Sequence, residues 1–441
     1  MHKVHAGYTL LVRLRADRIA DAAAWLARPD PLPFERSTTT HFATVTIVPA
    51  QHYGDEELPA TLLFATSFCG PADVHVAELV KLMGPQLCEL FEHCEGFQRD
   101  DLEQFIKENR HSDAFYSGMQ NLSPEDVQRH HALRTEIEDF IDRQQALDGL
   151  AGNAVGVRHQ IQSHIRAHPD FAWAQQPFAP PPAVWLARHW RWLVLLGVTL
   201  SAAGVLLIST LGALFSVSLR TVAVDGWIGV AVVAAVAYGL FRAICNEEDE
   251  QTYVTSRQPD GAVRDLAATQ NRPVINEMTI AGPVKEGRLR PLVLRLALWA
   301  VERAVEGFPK LRDPLTIPTV ATARWIAADG GRRLIFISNY TNAAEGYVRD
   351  FIDTEAGAEN INLSFGFGRG YPKTRRIFKE GAITNPNAFG YVVTENQHPT
   401  AFWYGRYTDI SIDNITINRA IREGLFGPMT ETEAQTWLHL L

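Results

Sequence analysis

Apolar positions along the chain change their period several times, and each change marks an element. Gly7 to Arg15, GYTLLVRLR, alternates and is β-rich, so it predicts a strand; ADRIADAAAWLA behind it predicts a short helix opened by Asp17. His41 to Pro49, HFATVTIVP, and Thr61 to Phe68, TLLFATSF, flank a turn rich in Gly, Asp and Glu and predict two strands of a hairpin. From Ala72 onward Val76, Leu79, Val80, Met83, Leu87, Leu90 and Phe91 recur three and four apart, which predicts a helix with one buried stripe, interrupted at Gly84 and Pro85. SDAFYSG predicts a fourth strand. Ser123, Pro124 and Glu125 then open a helix that runs to Arg143, with serine as N-cap and proline in the first turn. The order is β-α-β-β-α-β, a ferredoxin-like plan.

The same order returns late in the chain. NEMTIAGPVK predicts a strand and GRLRPLVLRLALWAVERAV a helix; TVATARWIAADGGRRLIFISNY predicts two strands about a glycine turn. NAAEGYVRDFID predicts a helix, AFWYG a fourth strand and IDNITINRAIREGL a closing helix. Two phrases, HSDAFYSGMQNLSPED and HPTAFWYGRYTDISID, share five identities at a constant offset of 287: His111/His398, Ala114/Ala401, Phe115/Phe402, Gly118/Gly405 and Asp126/Asp413. The expected fold class is therefore α+β, with two ferredoxin-like repeats at 1–150 and 271–441. The open face of each sheet needs a partner. Either the two copies stack as a fused α+β barrel, or each pairs with another chain in a homo-oligomer.

Between the repeats lie a proline-rich connector at 151–190, an apolar region at 191–243 and a polar tether at 244–270. Leu193 to Leu219 is 27 residues without a charge, and Gly226 to Phe241 is again uncharged. A helix needs about 20 apolar residues to cross a bilayer, so this region predicts a transmembrane helical hairpin with the lipid bilayer as partner. Two crossings return the chain to its starting side. The flanking arginines and the missing signal-peptide core favour a bacterial cytoplasmic (inner) membrane, with both soluble repeats on the cytoplasmic side.

Composition narrows the function classes. Net charge is -9 and 21% of residues are charged, which excludes global disorder and offers no cationic field for nucleic acid. Cys69, Cys88, Cys94 and Cys245 form no CxxC pair, and their spacing suggests neither a disulfide scaffold nor a thiolate zinc site. His93 beside Cys94 lacks further spaced partners. His41 heads an alternating strand, where hydrogen bonding is a plainer role than ligand contact.

On duplication and element order, the two soluble parts resemble the dimeric α+β-barrel superfamily, which includes dye-decolourising peroxidases and chlorite-dismutase-like haem proteins. The resemblance implies haem on a proximal histidine as the candidate cofactor. The distal GxxDG motif of the dye-decolourising peroxidases is missing; the nearest stretches read CGPADVH and TNAAEGY. Local chemistry makes His398 the candidate iron ligand or acid–base group, with Arg324 or Arg406 polarising peroxide. GFGRGYPKTRRIF gathers Arg369, Lys373, Arg375 and Arg376 around glycines, a pattern for holding a haem propionate, a phosphorylated metabolite or a lipid headgroup. A solvated loop is the plainer reading of the same residues. Two functions follow: a membrane-anchored ligand- or partner-binding protein, or a haem-dependent peroxidase-like oxidoreductase acting on a hydrophobic or membrane-derived substrate.

Overall fold

A computed structural model describes residues 5–119, 122–144, 153–176, 238–239, 241–247, 272, 274–307, 319–341, 361–375 and 379–441. In the first half the chain runs β1 (His5–Arg13), α1 (Ile19–Leu26), β2 (Thr40–Val48), a small hairpin β3 (Gln51–Tyr53) and β4 (Glu56–Leu58), and β5 (Thr61–Cys69). It continues with α2 (Ala72–Phe91), α3 (Leu102–Glu108), β6 (Arg110–His111), β7 (Ala114–Ser117), α4 (Pro124–Gln144) and α5 (Ala154–Ala167). The second half runs β8 (Ile275–Pro283), α6 (Arg290–Gly307), β9 (Val320–Ala328), β10 (Arg333–Thr341), a two-stranded ribbon β11 (Thr374–Arg375) and β12 (Lys379–Glu380), and α7 (Pro386–Asn396). It ends with β13 (Gln397–His398), β14 (Phe402–Gly405), α8 (Ile412–Gly424) and α9 (Glu431–Leu438).

These elements build two five-stranded sheets, ordered β14-β2-β5-β1-β6 and β13-β8-β10-β9-β7. Each sheet has the same core of three long antiparallel strands, and each is finished by a strand from the other half of the chain. β7 crosses to lie on β9, pairing Ala114 with Trp325 and Ser117 with Thr322. β14 crosses in the opposite sense to lie on β2, pairing Phe402 with Val45 and Gly405 with Phe42. The repeated phrase in the sequence is this exchanged edge strand. Gly118, one of its identities, is required by proximity: a Cβ there would sit 2.4 Å from the Val320 carbonyl oxygen.

Side-chain alternation divides each sheet into two faces. Tyr8, Leu10, Val12, Phe64 and Phe68 point outward into a core completed by Trp25, Leu79, Leu87, Phe91 and Phe105 of the covering helices. Met278, Ile280, Leu334 and Phe336 do the same beneath Leu294, Leu298, Phe389 and Val393. Pro85, which cannot donate to the preceding turn, breaks α2, and Met83 takes up the kink at φ -138, ψ 24. The inner faces meet through Val48, Leu63 and Ala65 against Ala281, Ile326, Ala328, Ile335 and Ile337. Helices α4, α5, α8 and α9 form a separate bundle around Leu133, Ile137, Ile161, Ile421 and Trp437.

Two expectations are corrected. The sheets stay open and do not close as a fused barrel, because the ladder lapses at both crossings. It stops after His111 and resumes at Ala114, and it stops after His398 and resumes at Phe402, with Pro399 unable to donate. The supported class is α+β with two open sheets packed face to face. Secondly, among the described residues no helix is long and apolar enough to cross a membrane. The 191–243 hairpin lies outside the described residues except for 238–239 and 241–243. Membrane anchoring, the bilayer as partner and an inner-membrane location rest on that hairpin alone and are set aside. The expected helix NAAEGYVRDFID also lies outside the described residues.

One buried histidine ties the helix layer to the first sheet. His75 on α2 bridges Thr39 Oγ1 at 2.9 Å and Thr66 Oγ1 at 2.8 Å, and its ring stacks on Phe68 at 4.0 Å. Burial holds its pKa down to about 4, from 6.5. The unfolded chain therefore takes up this proton near pH 6.5 and the folded chain only near 4. Its contribution is complete above pH 6.5 and shrinks as pH falls, by about 1.4 kcal/mol per unit across that window. Urea unfolding from pH 7 to 4.5 is expected to show at least that slope, and His75→Gln to lessen it by about 1.4 kcal/mol per unit. An equal slope in both proteins counts against the assignment.

Candidate metal centre

β1 begins, β5 ends and β2 bulges at one corner of the first sheet. His5 and Cys69 are register partners across β1 and β5. The β2 ladder skips between Thr40 and Phe42, and the residue left over is His41. A bulge re-aims the extra side chain. The His41 ring is thereby stacked on His5, with centroids 4.3 Å apart and planes at 28°, and His41 Nε2 lies 3.2 Å from Cys69 Sγ. One ligand atom from each of the three lies within 4.8 Å of the others, and all three residues are buried.

The groups around this cluster come from the two crossing segments. Ser117, at the end of β7, places its Oγ 2.7 Å from His5 Nδ1, and the Met119 carbonyl lies 3.4 Å from the same nitrogen. That occupies Nδ1; Nε2 of His5 is buried with no hydrogen-bond partner among the described residues. Tyr407, just past β14, puts its hydroxyl 2.5 Å from His41 Nδ1. The Cys69 thiol donates to the Leu122 carbonyl at 3.0 Å.

Burial favours the ligating form of both imidazoles. Burial, offset in part by the Met119 carbonyl and reinforced by the charge of Arg324, brings His5 down to about 4. Burial, then the neighbouring His5 and Arg406, hold His41 well below its usual value. Both imidazoles are neutral at neutral pH, the form in which they bind metal. A thiolate with two neutral imidazoles suits zinc or copper. With bonds of about 2.3 Å to sulfur and 2.0 Å to nitrogen, donors 3.2 Å apart subtend roughly a right angle at an ion between them.

The second sheet supplies an internal comparison. Ile275 and Thr341 are register partners there, as His5 and Cys69 are in the first. The β9 ladder skips Ala321 as β2 skips His41. The same three backbone positions therefore carry Ile275, Ala321 and Thr341, and the first two belong to an apolar cluster with Phe42 and Ile415. The corner folds without imidazole or thiol in one sheet and gathers all three donors in the other.

Arg324 and Arg406, proposed from sequence, flank the cluster. Arg324 is buried between the sheets: Nη1 donates to the Tyr8 carbonyl (3.3 Å), Thr9 Oγ1 (2.9 Å) and Asp113 Oδ2 (3.3 Å), and Nη2 to the Thr66 carbonyl (2.8 Å) and Ser67 Oγ (2.9 Å). Arg406 donates from Nη1 to the Ser37 carbonyl at 2.7 Å, and its backbone N–H donates to the His41 carbonyl at 3.0 Å. His398 stands apart on β13, its Nε2 2.9 Å from the Ala281 carbonyl oxygen. Arg369 pairs with Glu286 at 3.4 Å and Arg375 with Glu380 at 3.8 Å, both remote in sequence and sheet position from the cluster. Arg376 lies outside the described residues. The glycine-rich loop is organised by Asn362, whose Oδ1 accepts from Tyr371 Oη at 2.8 Å and from Ala382 N at 3.0 Å.

His5 and Cys69 were missed from sequence because intervals of 36 and 28 residues fit no metal motif; only strand register unites them. The cluster could coordinate a metal ion, which supports a cofactor site, and its donor set is not specific to haem. No protein-family model, no curated protein and no solved structure matches the chain. The resemblance to the dimeric α+β-barrel superfamily and its haem proteins is accordingly withdrawn; what holds is a general α+β architecture.

The charge of Arg324 is matched by Asp113, so removing one partner strands the other in the interior. Arg324→Met is expected to cost about 3–5 kcal/mol, and Arg324→Met with Asp113→Asn to recover part of that loss. Urea midpoints of the three proteins check this; a single variant as stable as the parent would contradict the pairing.

Proposed function

We propose that this protein binds a transition-metal ion through His5 Nε2, His41 Nε2 and the Cys69 thiolate. The observation that carries the reading is the contrast between the two corners: only one holds the donors, and its His5 Nε2 is buried without a hydrogen-bond partner among the described residues. An unpaired buried imidazole nitrogen costs stability, and a metal ion would satisfy it. Ser117 and Tyr407 act on the opposite ring nitrogens and set how the rings face the ion, the role outer groups play at metal sites. The oxidoreductase reading stands only in this coarser form, with an ion in place of haem. Arg324 and Arg406 supply positive charge beside the ion and do not touch it.

Equilibrium dialysis of the full chain against zinc(II) and copper, followed by elemental analysis, is expected to give one ion per chain. The second-sheet residues suggest variants that the fold tolerates: Cys69→Thr and His41→Ala, each expected to abolish stoichiometric retention. Tyr407→Phe is expected to weaken binding by about 10–100-fold while leaving the stoichiometry at one. Unchanged retention in both ligand variants would remove the proposal.

A further inference from the structure

The metal site is buried, yet it is joined to the surface by aromatic rings. His41 is followed by Phe42, whose ring centroid is 6.5 Å from its own, and Tyr407 lies 5.9 Å from His41 and 5.9 Å from Phe42. Phe42 then stacks on Trp403 at 6.4 Å, with planes at 23°. Trp403 is half-buried on the exchanged strand β14. Its Nε1 donates to Asn339 Oδ1 at 2.8 Å, which fixes the indole, and the Arg272 guanidinium lies 3.9 Å over its ring. The route to the surface ends beside a cation.

Resting on the metal-binding reading, we infer that the ion is copper and that copper(II) takes one electron from a small anionic donor at the Trp403 edge to become copper(I). Two histidines and a cysteine form the donor set of electron-transfer copper sites, where a weak axial ligand is in some cases a backbone oxygen. The Leu122 carbonyl is placed for that part: it accepts from the Cys69 thiol at 3.0 Å, and loses that hydrogen bond when metal binding sends the thiol proton to solvent. In the redox step the donor loses one electron and copper(II) gains it; no bond to carbon, oxygen or hydrogen changes. Electron transfer weakens steeply with the width of the gap between donor and acceptor. The rings of Phe42, Tyr407 and Trp403 narrow the gaps, and Arg272 attracts the anion.

The test uses the full chain loaded with copper(II) and freed of excess metal, with ascorbate as donor. A strong visible thiolate-to-copper(II) absorption is expected, lost in Cys69→Ser, whose circular dichroism reports whether it is folded. Stopped-flow bleaching by ascorbate is expected to slow by about tenfold or more in Trp403→Leu, equivalent to about 1.4 kcal/mol of barrier. The copper content and absorption band of Trp403→Leu remain those of the parent. Trp325→Phe, altered on the outer face of β9, keeps the parent rate. Retained metal with no thiolate band, or parent-rate bleaching in Trp403→Leu, overturns the inference while leaving metal binding intact. Failure to retain any metal removes the underlying reading instead.

Discussion

The structure depends on one constraint: each sheet obtains an edge strand from the opposite half of the chain. β7 hydrogen-bonds to β9 and β14 to β2, so neither sheet is complete without residues far away in sequence. An unpaired edge on a long strand is a site for unwanted pairing, and the exchange covers one such edge on each sheet. It also brings the segments after the exchanged strands back across the sheet corners. Ser117, Met119 and Leu122 arrive over the first sheet by this route, and Arg406 and Tyr407 arrive from the other side. The candidate centre exists because the two crossings converge there.

The space between the sheets is unusually polar for an interior. Leu63, Ala65, Ile326, Ile335 and Ile337 fill one end with apolar side chains. Further along, Arg324 is matched by Asp113 and hydroxyls of Thr9 and Ser67. At the corresponding place near the other crossing, the Glu277 carboxyl accepts from Thr279 at 2.5 Å and from Thr400. Burial raises its pKa, against those hydroxyls and the charge of Arg272. Such groups are tolerable only when their hydrogen-bonding capacity is met. Here each group sits beside a crossing segment that brings its partner, Asp113 in one case and Thr400 in the other. These pairs favour one register of the exchanged strands over a slipped one.

Local pattern carried far into this fold and then stopped. Alternation in GYTLLVRLR, HFATVTIVP and TLLFATSF located β1, β2 and β5 to within two residues, and the three-four spacing from Val76 to Phe91 located α2. Those signals lie within single elements. The exchange of β7 and β14 does not, because a four-residue strand shows no preference for one distant edge over another. Arg324 stands in a strand whose alternation alone assigns it to neither face; the sheet sandwich turns it inward. The donors were harder still. His41 heads a strand whose bulge cannot be read from ATV, and Cys69 gains its meaning only opposite His5. A polar series on one face of β1, His5 followed by Thr9, was the available hint.

Polypeptides emerge from the ribosome in order, and the exchange sets a schedule. The outer flank of β2 is made first, and its covering strand, Phe402–Gly405, follows only after about 350 further residues. Until then a nine-residue β-branched ribbon, THFATVTIV, waits with one flank unsatisfied. The nascent chain thus carries a sticky margin while those residues are made, a vulnerable interval in which shielding by other cellular factors matters most.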